Sequence, residues 1–443
     1  MELSKNRAAN AHRSASPTDF QAELPPNVRV TTLPNGLRVA TDVMPGMETA
    51  TVGIWTSCGA RNETEAENGV AHLLEHMLFK GTKRRSAQAI AEEIEAVGGQ
   101  MNAYTARENT AYYARVLKED VTLAVDVIAD LLQHSTFDET ELARERSVVL
   151  QEIGQANDTP DDIIFDHFQT AAFPDQPIGR PVLGTPATVA GMPRGALTGY
   201  LAAHYAPSEL ILSAAGAIDH DRLVDQAGGL FDSLTRAVPP KPSKAEYRGG
   251  EFRADQPLEQ LHFVMGFPGA AIGDADYYAQ SVLSTLLGGG MSSRLFQEVR
   301  EKRGLVYAIY TFASAYRDGG IFGIYAGTGP AEIDELVPVV CDELCAVADT
   351  IGEAELGRAR AQLKSGLLMS LESTMSRAEQ LGQHLLLFGR PIPAAEIIGR
   401  IDAVDASAVR QAAKKLFAAK PTIAALGPLA QLESFEQIAA RLG

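Results

Sequence analysis

Gly69-Val70-Ala71-His72-Leu73-Leu74-Glu75-His76-Met77-Leu78-Phe79-Lys80-Gly81 decides how this 443-residue chain is read. Two histidines stand four apart with a glutamate between them, in apolar surroundings. On a helix, positions i, i+3 and i+4 share a face, so His72, Glu75 and His76 project together. Val70, Leu73, Leu74, Met77 and Leu78 cover the rest of the cylinder. Two imidazoles one turn apart can close on a single zinc ion, which takes nitrogen ligands at about 2.0–2.1 Å. A carboxylate beside them can take a proton from zinc-bound water, whose pKa the metal lowers to about 7. The alternative is a buried helix whose histidines bond to backbone groups. A histidine pair with an interposed glutamate favours the metal.

Outward from that helix, the chain is too long for one core, and two domains are the default. Apolar content of 45% and charged content of 21% are those of a soluble globular protein. No apolar run approaches a membrane span. Three cysteines, Cys58, Cys341 and Cys345, are too few for a disulfide framework and point to a reducing compartment. Cys341 and Cys345 could bind metal or be oxidised; small core residues are the simpler reading. A formal net charge of −17 argues against nucleic acid and against an anionic membrane surface, and suits basic peptides. Acidity for solubility alone accounts for it equally well. The first residues are polar, with no apolar stretch of the kind a secretory signal needs. Glu2, Asp19 and Glu23 weaken a mitochondrial transit reading, so residues 1–27 read as a flexible tail. A bacterial cytoplasm is expected, with the mitochondrial matrix as the alternative in a eukaryote.

Residues 28–42 read as a hairpin around Pro34-Asn35-Gly36. A strand over 51–58 precedes the histidine helix, and Gly81 can end that helix. Ser86 caps a second helix closed by Gly98-Gly99. A strand pair over 101–117 and helices over 119–133, 138–156 and from Pro160 follow, then a strand at 210–217 and a helix at 219–231. Residues 237–247 are Pro- and Lys-rich and read as a linker. Beyond them the order restarts: strand 260–267, helix 275–287, helix 292–302, strands 305–315 and 321–327, long helices, and a strand at 422–426. The expected fold is α+β, with two structurally duplicated domains, 28–236 and 248–443. Each is a mainly antiparallel sheet packed against several helices. The second half has no counterpart of the histidine pair, so one half carries the metal, one zinc per chain.

Two histidines leave a catalytic zinc one protein ligand short. The helix over 138–156 offers Glu145 and Glu152 on one face, with apolar residues between them. A glutamate embedded there needs a partner. Zinc would serve one, and a hydrogen bond to a ligand the other. Alternatively both face solvent and pair with Arg144 or Arg146.

His72-Leu73-Leu74-Glu75-His76 matches H-x-x-E-H, the inverzincin pattern. With Thr32–Ala40, Gly69–Thr82, Asn102–Thr105, Glu145–Ile153 and Gly289–Tyr307, the chain resembles the pitrilysin family of zinc metallopeptidases. It is most similar to the mitochondrial processing peptidase β subunits and their bacterial homologues. The resemblance implies that Glu152 is the third zinc ligand, Glu145 its supporting carboxylate and Glu75 the general base. It places Arg300 and Tyr307 on substrate backbone and oxyanion. In half-sized members those two act across a dimer, which implies a homodimer enclosing a chamber, with sites completed by the partner. The family's edge strand, matched by Asn102-Ala103-Tyr104, takes substrate as an added strand. Phe79 matches the wall of a pocket after the scissile bond. Asp162 and Asp166 match acids that bind an arginine before it, and on a helix they can share one guanidinium. Helix N-terminal acids favoured by the dipole are the plainer reading of Asp162. The long glycine-rich loop of the processing peptidase's partner subunit is missing; only Gly288-Gly289-Gly290-Met291 stands here.

The expected activity is zinc-dependent endopeptidase action on extended or presequence-like peptides, basic ones included, with no nucleic-acid or membrane partner. A non-catalytic scaffold subunit and a cofactor-biosynthesis peptidase of the same family are the alternatives. Intact His72, Glu75, His76 and Glu152 argue against the scaffold.

Overall fold

A computed structural model describes residues 24–234 and 238–442. The tail reading of residues 1–27 falls almost wholly outside them. Among the described residues, eleven strands form two sheets. The first holds β1 (Val28–Thr32), β2 (Arg38–Val43), β3 (Thr49–Thr56), β4 (Gln100–Thr105), β5 (Thr110–Leu117) and β6 (Leu210–Gly216) in the order β1-β2-β6-β3-β5-β4. The second holds β7 (Gly250–Asp255), β8 (Leu261–Gly269), β9 (Val306–Ala315), β10 (Gly320–Thr328) and β11 (Thr422–Gly427) in the order β7-β11-β8-β10-β9. Without β1 the two orders superpose strand for strand. Each contains one parallel pair, β2 with β6 and β7 with β11, and is otherwise antiparallel. The fold is therefore α+β and internally duplicated.

The first half adds helices α1 (Val70–Leu78), α2 (Ala87–Glu95), α3 (Val121–His134), α4 (Glu139–Asn157), α5 (Pro160–Ala172), α6 (Pro186–Gly191), α7 (Arg194–His204) and α8 (His220–Leu230). The second adds α9 (Tyr277–Gly288), α10 (Ile333–Val347), α11 (Glu353–Ser370), α12 (Thr374–Phe388), α13 (Ala394–Asp402), α14 (Ala406–Phe417) and α15 (Phe435–Arg441). Local chemistry starts and stops many of them. The Ser86 hydroxyl accepts from Ala89 N to cap α2, and Asp138 accepts from Thr140 N and Glu141 N to cap α4. Gly36, at φ 100°, closes the β1–β2 turn where a side chain would be strained.

Each sheet has two covered faces. One face of the first sheet packs on α1 and α3 around Val52, Ile54, Leu73, Leu74 and Met77. One face of the second packs on α9, α10 and α14. The opposite faces are covered by exchange. Helix α12 of the second half lies on β2, β3 and β6, with Ala378 buried against Trp55 and Ala215. Helix α5 of the first half lies on β7, β8 and β11, with Ile164 and Phe168 among Val264, Tyr325 and Ala424. Each half thus supplies a helix to the other's sheet.

Some expectations need correction. The stretch 292–302 is not an ordinary helix: Phe296–Glu301 is a π-helical turn, with Lys302 N bonded to Gln297 O five residues back. Strand β7 and helices α6, α7, α13, α14 and α15 were not expected. Gly288 is packed rather than looped, since a Cβ there would lie 2.5 Å from Thr311 N. Cys341 is buried and Cys345 exposed, and neither is in a disulfide.

Candidate metal centre

Helix α1 enters at Gly69, in the left-handed region at φ 94°, and ends at Phe79. Val70, Ala71, Leu73, Leu74, Met77 and Leu78 are all buried. Full burial of a Leu or Met side chain is worth about 1.5–3 kcal/mol, so the helix has one stable rotation about its axis. That rotation leaves His72, Glu75 and His76 half-buried on the remaining face. The His72 and His76 rings are 4.7 Å apart between centroids. Helix α4 packs on α1 and brings in Glu152, whose Oε2 is 3.8 Å from His72 Nε2 and 3.6 Å from His76 Nε2.

His72, His76 and Glu152 are the group among the described residues whose donor atoms converge enough to hold a metal, all within 4.8 Å of one another. A tetrahedral ion with bonds of about 2.1 Å holds its ligand atoms about 3.4 Å apart, close to the spacing found. The residues present therefore fit zinc. Burial, and then the neighbouring His76, push the His72 imidazole down to about 4, which keeps it neutral, as a ligand must be. Its Nδ1 is buried without a partner.

Glu145 is buried on α4, and its Oε2 accepts from His76 Nδ1 at 3.1 Å. Its Oε1 is paired with Lys80 Nζ at 2.8 Å. The solvent-facing alternative fails: Arg144 pairs with Glu141, and Arg146 donates to Met192 O. Glu75 Oε2 accepts from the Thr105 hydroxyl at 2.5 Å, and burial raises its carboxyl above the usual range.

A groove of about 480 Å³ runs past these groups, lined by His72, Glu75, Ala103, Tyr104, Thr105, Arg107, Asp162, Phe165 and Asp166 among others. Its floor includes β4, the edge strand of the first sheet. Asn102 lies on the same strand, and its side chain accepts from Ala103 N. The Tyr104 hydroxyl donates to Glu379 on α12. Phe79 packs on Tyr112 and, with Ile90, Ile94 and Met101, walls an apolar pocket of about 330 Å³ farther along β4.

Asp162 and Asp166 do not form one open pair. Arg107 donates to Asp166 at 2.7 Å, so a guanidinium of the same chain already holds that carboxylate. Arg300 and Tyr307 are not among the residues lining the groove. They stand together on the second half, the Arg300 guanidinium 5.6 Å from the Tyr307 ring centroid, and Tyr307 is 74% exposed. Sequence reasoning did not single out Lys80, Thr105 or Arg107. Lys80 follows α1 by two residues, but its partner Glu145 is far along the chain, so its place in the sequence carried no signal. Thr105 and Arg107 carried none, because their partners are distant in sequence.

Two imidazoles one helical turn apart, a carboxylate from a crossing helix and a second carboxylate in the groove wall form the residue set of a metal-dependent hydrolase. Comparison with known proteins agrees. The profile described as "Insulinase (Peptidase family M16)" matches residues 38–186, and "Peptidase M16 inactive domain" matches residues 192–363. An uncharacterized zinc protease of Streptomyces coelicolor is 41% identical over 91% of this chain and 90% of its own length. A probable mitochondrial-processing peptidase subunit beta of Arabidopsis thaliana is 41% identical over 94% of this chain and 81% of its own length. The chain belongs to peptidase family M16. A chain of the structure titled "The crystal structure of a protease from Helicobacter pylori" shares the fold at a TM-score of 0.84 and 22% identity, covering 90% of this chain and 99% of that one. A chain of "Complex III2 from Candida albicans, Inz-5 bound" does so at 0.85 and 23%, covering 94% and 99%. No helix among the described residues is long and apolar enough to cross a membrane.

Proposed function

We propose that this protein is a zinc-dependent endopeptidase that binds extended peptides along β4 and hydrolyses them at the His72–His76–Glu152 centre. The observation that carries the reading is the convergence of those three donors beside Glu75, in a groove floored by an unpaired sheet edge. An edge strand offers main-chain donors and acceptors to any extended segment, so affinity comes with little demand on sequence. Zinc, when bound, polarises the scissile carbonyl and acidifies a water at the site.

The chain's own residues supply the rest. Glu75 accepts the proton of the attacking water and returns it to the leaving amine, and Thr105 keeps its carboxylate in place. Glu145 fixes the His76 ring. The apolar Phe79 pocket receives a large side chain next to the cleaved bond. Asp162, which forms no salt bridge with any of the described residues, is the groove acid open to a basic substrate residue, whereas Asp166 serves Arg107. Arg300 and Tyr307 bind the substrate backbone and oxyanion from the partner subunit of a homodimer. The exposure of Tyr307, and the absence of both residues from the groove of their own chain, support that assignment.

Metal analysis combined with a peptide-library cleavage profile tests the reading. One zinc per chain with cleavage of unstructured peptides is expected. A protein that binds no zinc, or binds it and cleaves nothing in the library, refutes it.

A further inference from the structure

Glu63 is a buried acid, 4% exposed, that the chemistry above does not use. It lies in the loop before α1, and both its oxygens are taken. Oε1 accepts from Ala71 N at 2.9 Å. Oε2 accepts from Gly69 N at 2.9 Å and from Asn68 Nδ2 at 2.8 Å. Gly69 has no side chain to cap the helix, so Glu63 does it from six residues upstream. A carboxylate also suits the positive end of a helix dipole.

The same cluster reaches the groove wall. Asn68, itself 2% exposed, donates its second Nδ2 hydrogen to Pro181 O at 3.0 Å. Three residues on, Gly184 lies against Gly69 so closely that a Cβ on either would sit 2.8 Å from the other's Cα or its neighbouring carbonyl. Between Pro181 and Gly184 stand Val182 and Leu183, which line the groove. His72 is the third residue of α1, one place beyond Ala71. One carboxylate therefore touches the first turn that carries a ligand and, through Asn68, the strap that walls the substrate channel.

We propose that Glu63 is a positioning residue with two outputs: it holds the first turn of α1 so that His72 keeps its aim, and through Asn68 it holds the 181–184 strap against the groove. This rests on His72 being a zinc ligand. An amide at position 63 keeps the shape but cannot accept from all three donors. Turned to serve Asn68 and Gly69, it presents an NH2 to Ala71 N.

The test compares Glu63→Gln, Asn68→Ala and the unchanged protein. Zinc dissociation constants come from chelator competition, backbone hydrogen exchange from metal-free protein, and kcat and KM from a long peptide. Glu63→Gln should weaken zinc binding several-fold, less than the about 10–100-fold cost of losing a direct hydrogen-bond partner of a ligand, because Glu63 acts through the backbone of α1. It should also speed exchange at the start of α1. Asn68→Ala should leave zinc binding within about twofold and raise KM several-fold. Unchanged zinc binding and exchange in Glu63→Gln, with only a lower thermal midpoint, would make the residue a plain structural acid and overturn the proposal. So would Asn68→Ala losing as much zinc affinity as Glu63→Gln. If Glu63→Gln does not fold, Glu63→Asp, one methylene shorter, is used with the same readouts. The zinc titration of the unchanged protein tests the metal reading by itself, and the exchange comparison tests Glu63 even if that reading fails.

Discussion

Nδ1 of His76 lies 3.1 Å from Oε2 of Glu145. A carboxylate oxygen can only accept here, so the imidazole donates from Nδ1 and turns an unprotonated Nε2 toward Glu152. Lys80 closes the far side of the same carboxylate at 2.8 Å. The chain Lys80–Glu145–His76 therefore sets which nitrogen would face a metal held there. Glu145→Ala is expected to cost about 10–100-fold in zinc affinity. Lys80→Met should cost less, because it leaves the Glu145–His76 bond in place. Chelator competition at fixed pH measures both; a Glu145→Ala protein that holds zinc like the parent would remove Glu145 from the site. Glu152→Gln should lower zinc content outright.

Glu75 and Glu152 sit at the same centre with different surroundings. Glu75 is held by Thr105 in the groove, whereas Glu152 faces both imidazole Nε2 atoms. Glu75→Gln should therefore retain zinc and lose about 10²–10⁴ in kcat, the usual range for a general base. Zinc content by elemental analysis and single-peptide kinetics decide it. Substantial residual hydrolysis would end the general-base assignment.

Arg300 stacks over Tyr307 on a strand whose tyrosine is open to solvent. If the pair serves a neighbouring subunit, two inactive proteins should complement each other. A Glu75→Gln chain mixed with an Arg300→Ala/Tyr307→Phe chain would carry one intact combination per mixed dimer. Partial recovery of activity is expected after subunit exchange. No recovery in verified mixed dimers would place the whole site within one chain.

What could be read in advance follows from range. The α1 reading needed nothing beyond a period, since the buried and half-buried positions fall on opposite sides of one helix. The duplicated order of strands and helices was also visible as a repeated pattern. Strand β7 was not, because Gly250–Asp255 has three charged residues among six and is held by Thr422–Gly427 and by α5, both far from it along the chain. The exchange of α5 and α12 left no local trace either, since either sheet would accept an apolar helix face. The π turn at Phe296–Glu301, with Val299 buried in the second core, has no mark in its composition. The Arg107–Asp166 pair shows the same limit at the site: each residue was visible, but their contact was not.

His384 on α12 gives a pH dependence away from the metal. Its Nδ1 accepts from Ile392 N at 3.1 Å. Burial, then the nearby Arg390 charge, push its imidazole down to about 4, with Glu396 opposing. The folded state therefore binds fewer protons than the unfolded one between about pH 6.5 and 4. The neutral ring's contribution is fully present above about pH 6.5 and is lost as the pH falls toward 4. His384→Gln, which can still accept from Ile392 N, should remove that loss. Urea unfolding at pH 7 and pH 4.5 should show the parent losing about 2 kcal/mol more than the variant. Parallel losses in the two proteins would show that His384 does not titrate in this range.

Arg61 ties the two halves through its side chain. Its side chain is 2% exposed and contacts Glu108 at 2.5 Å and Asp318 at 2.5 Å. It also donates to Ser243 O at 2.7 Å. Glu108 belongs to the turn between β4 and β5, and Asp318 to the turn between β9 and β10. Asp318 in turn accepts from Ala245 N. Asp318 is held below the usual carboxylate range by Arg61 and Ala245 N, which outweigh the largest single influence on it, burial, acting upward. Removing the cation strands two partly buried carboxylates, and such breaks cost about 3–5 kcal/mol. Arg61→Met should lower unfolding stability by that order. Asp318→Asn should cost less, because Arg61 keeps Glu108. The two hairpin turns also meet at Arg317, whose backbone N–H donates to Glu108. Arg61→Met should therefore also make the unfolding transition broader, as the halves begin to open separately. A sharp, unshifted urea transition would show that the exchanged helices α5 and α12 hold the halves together without the clamp.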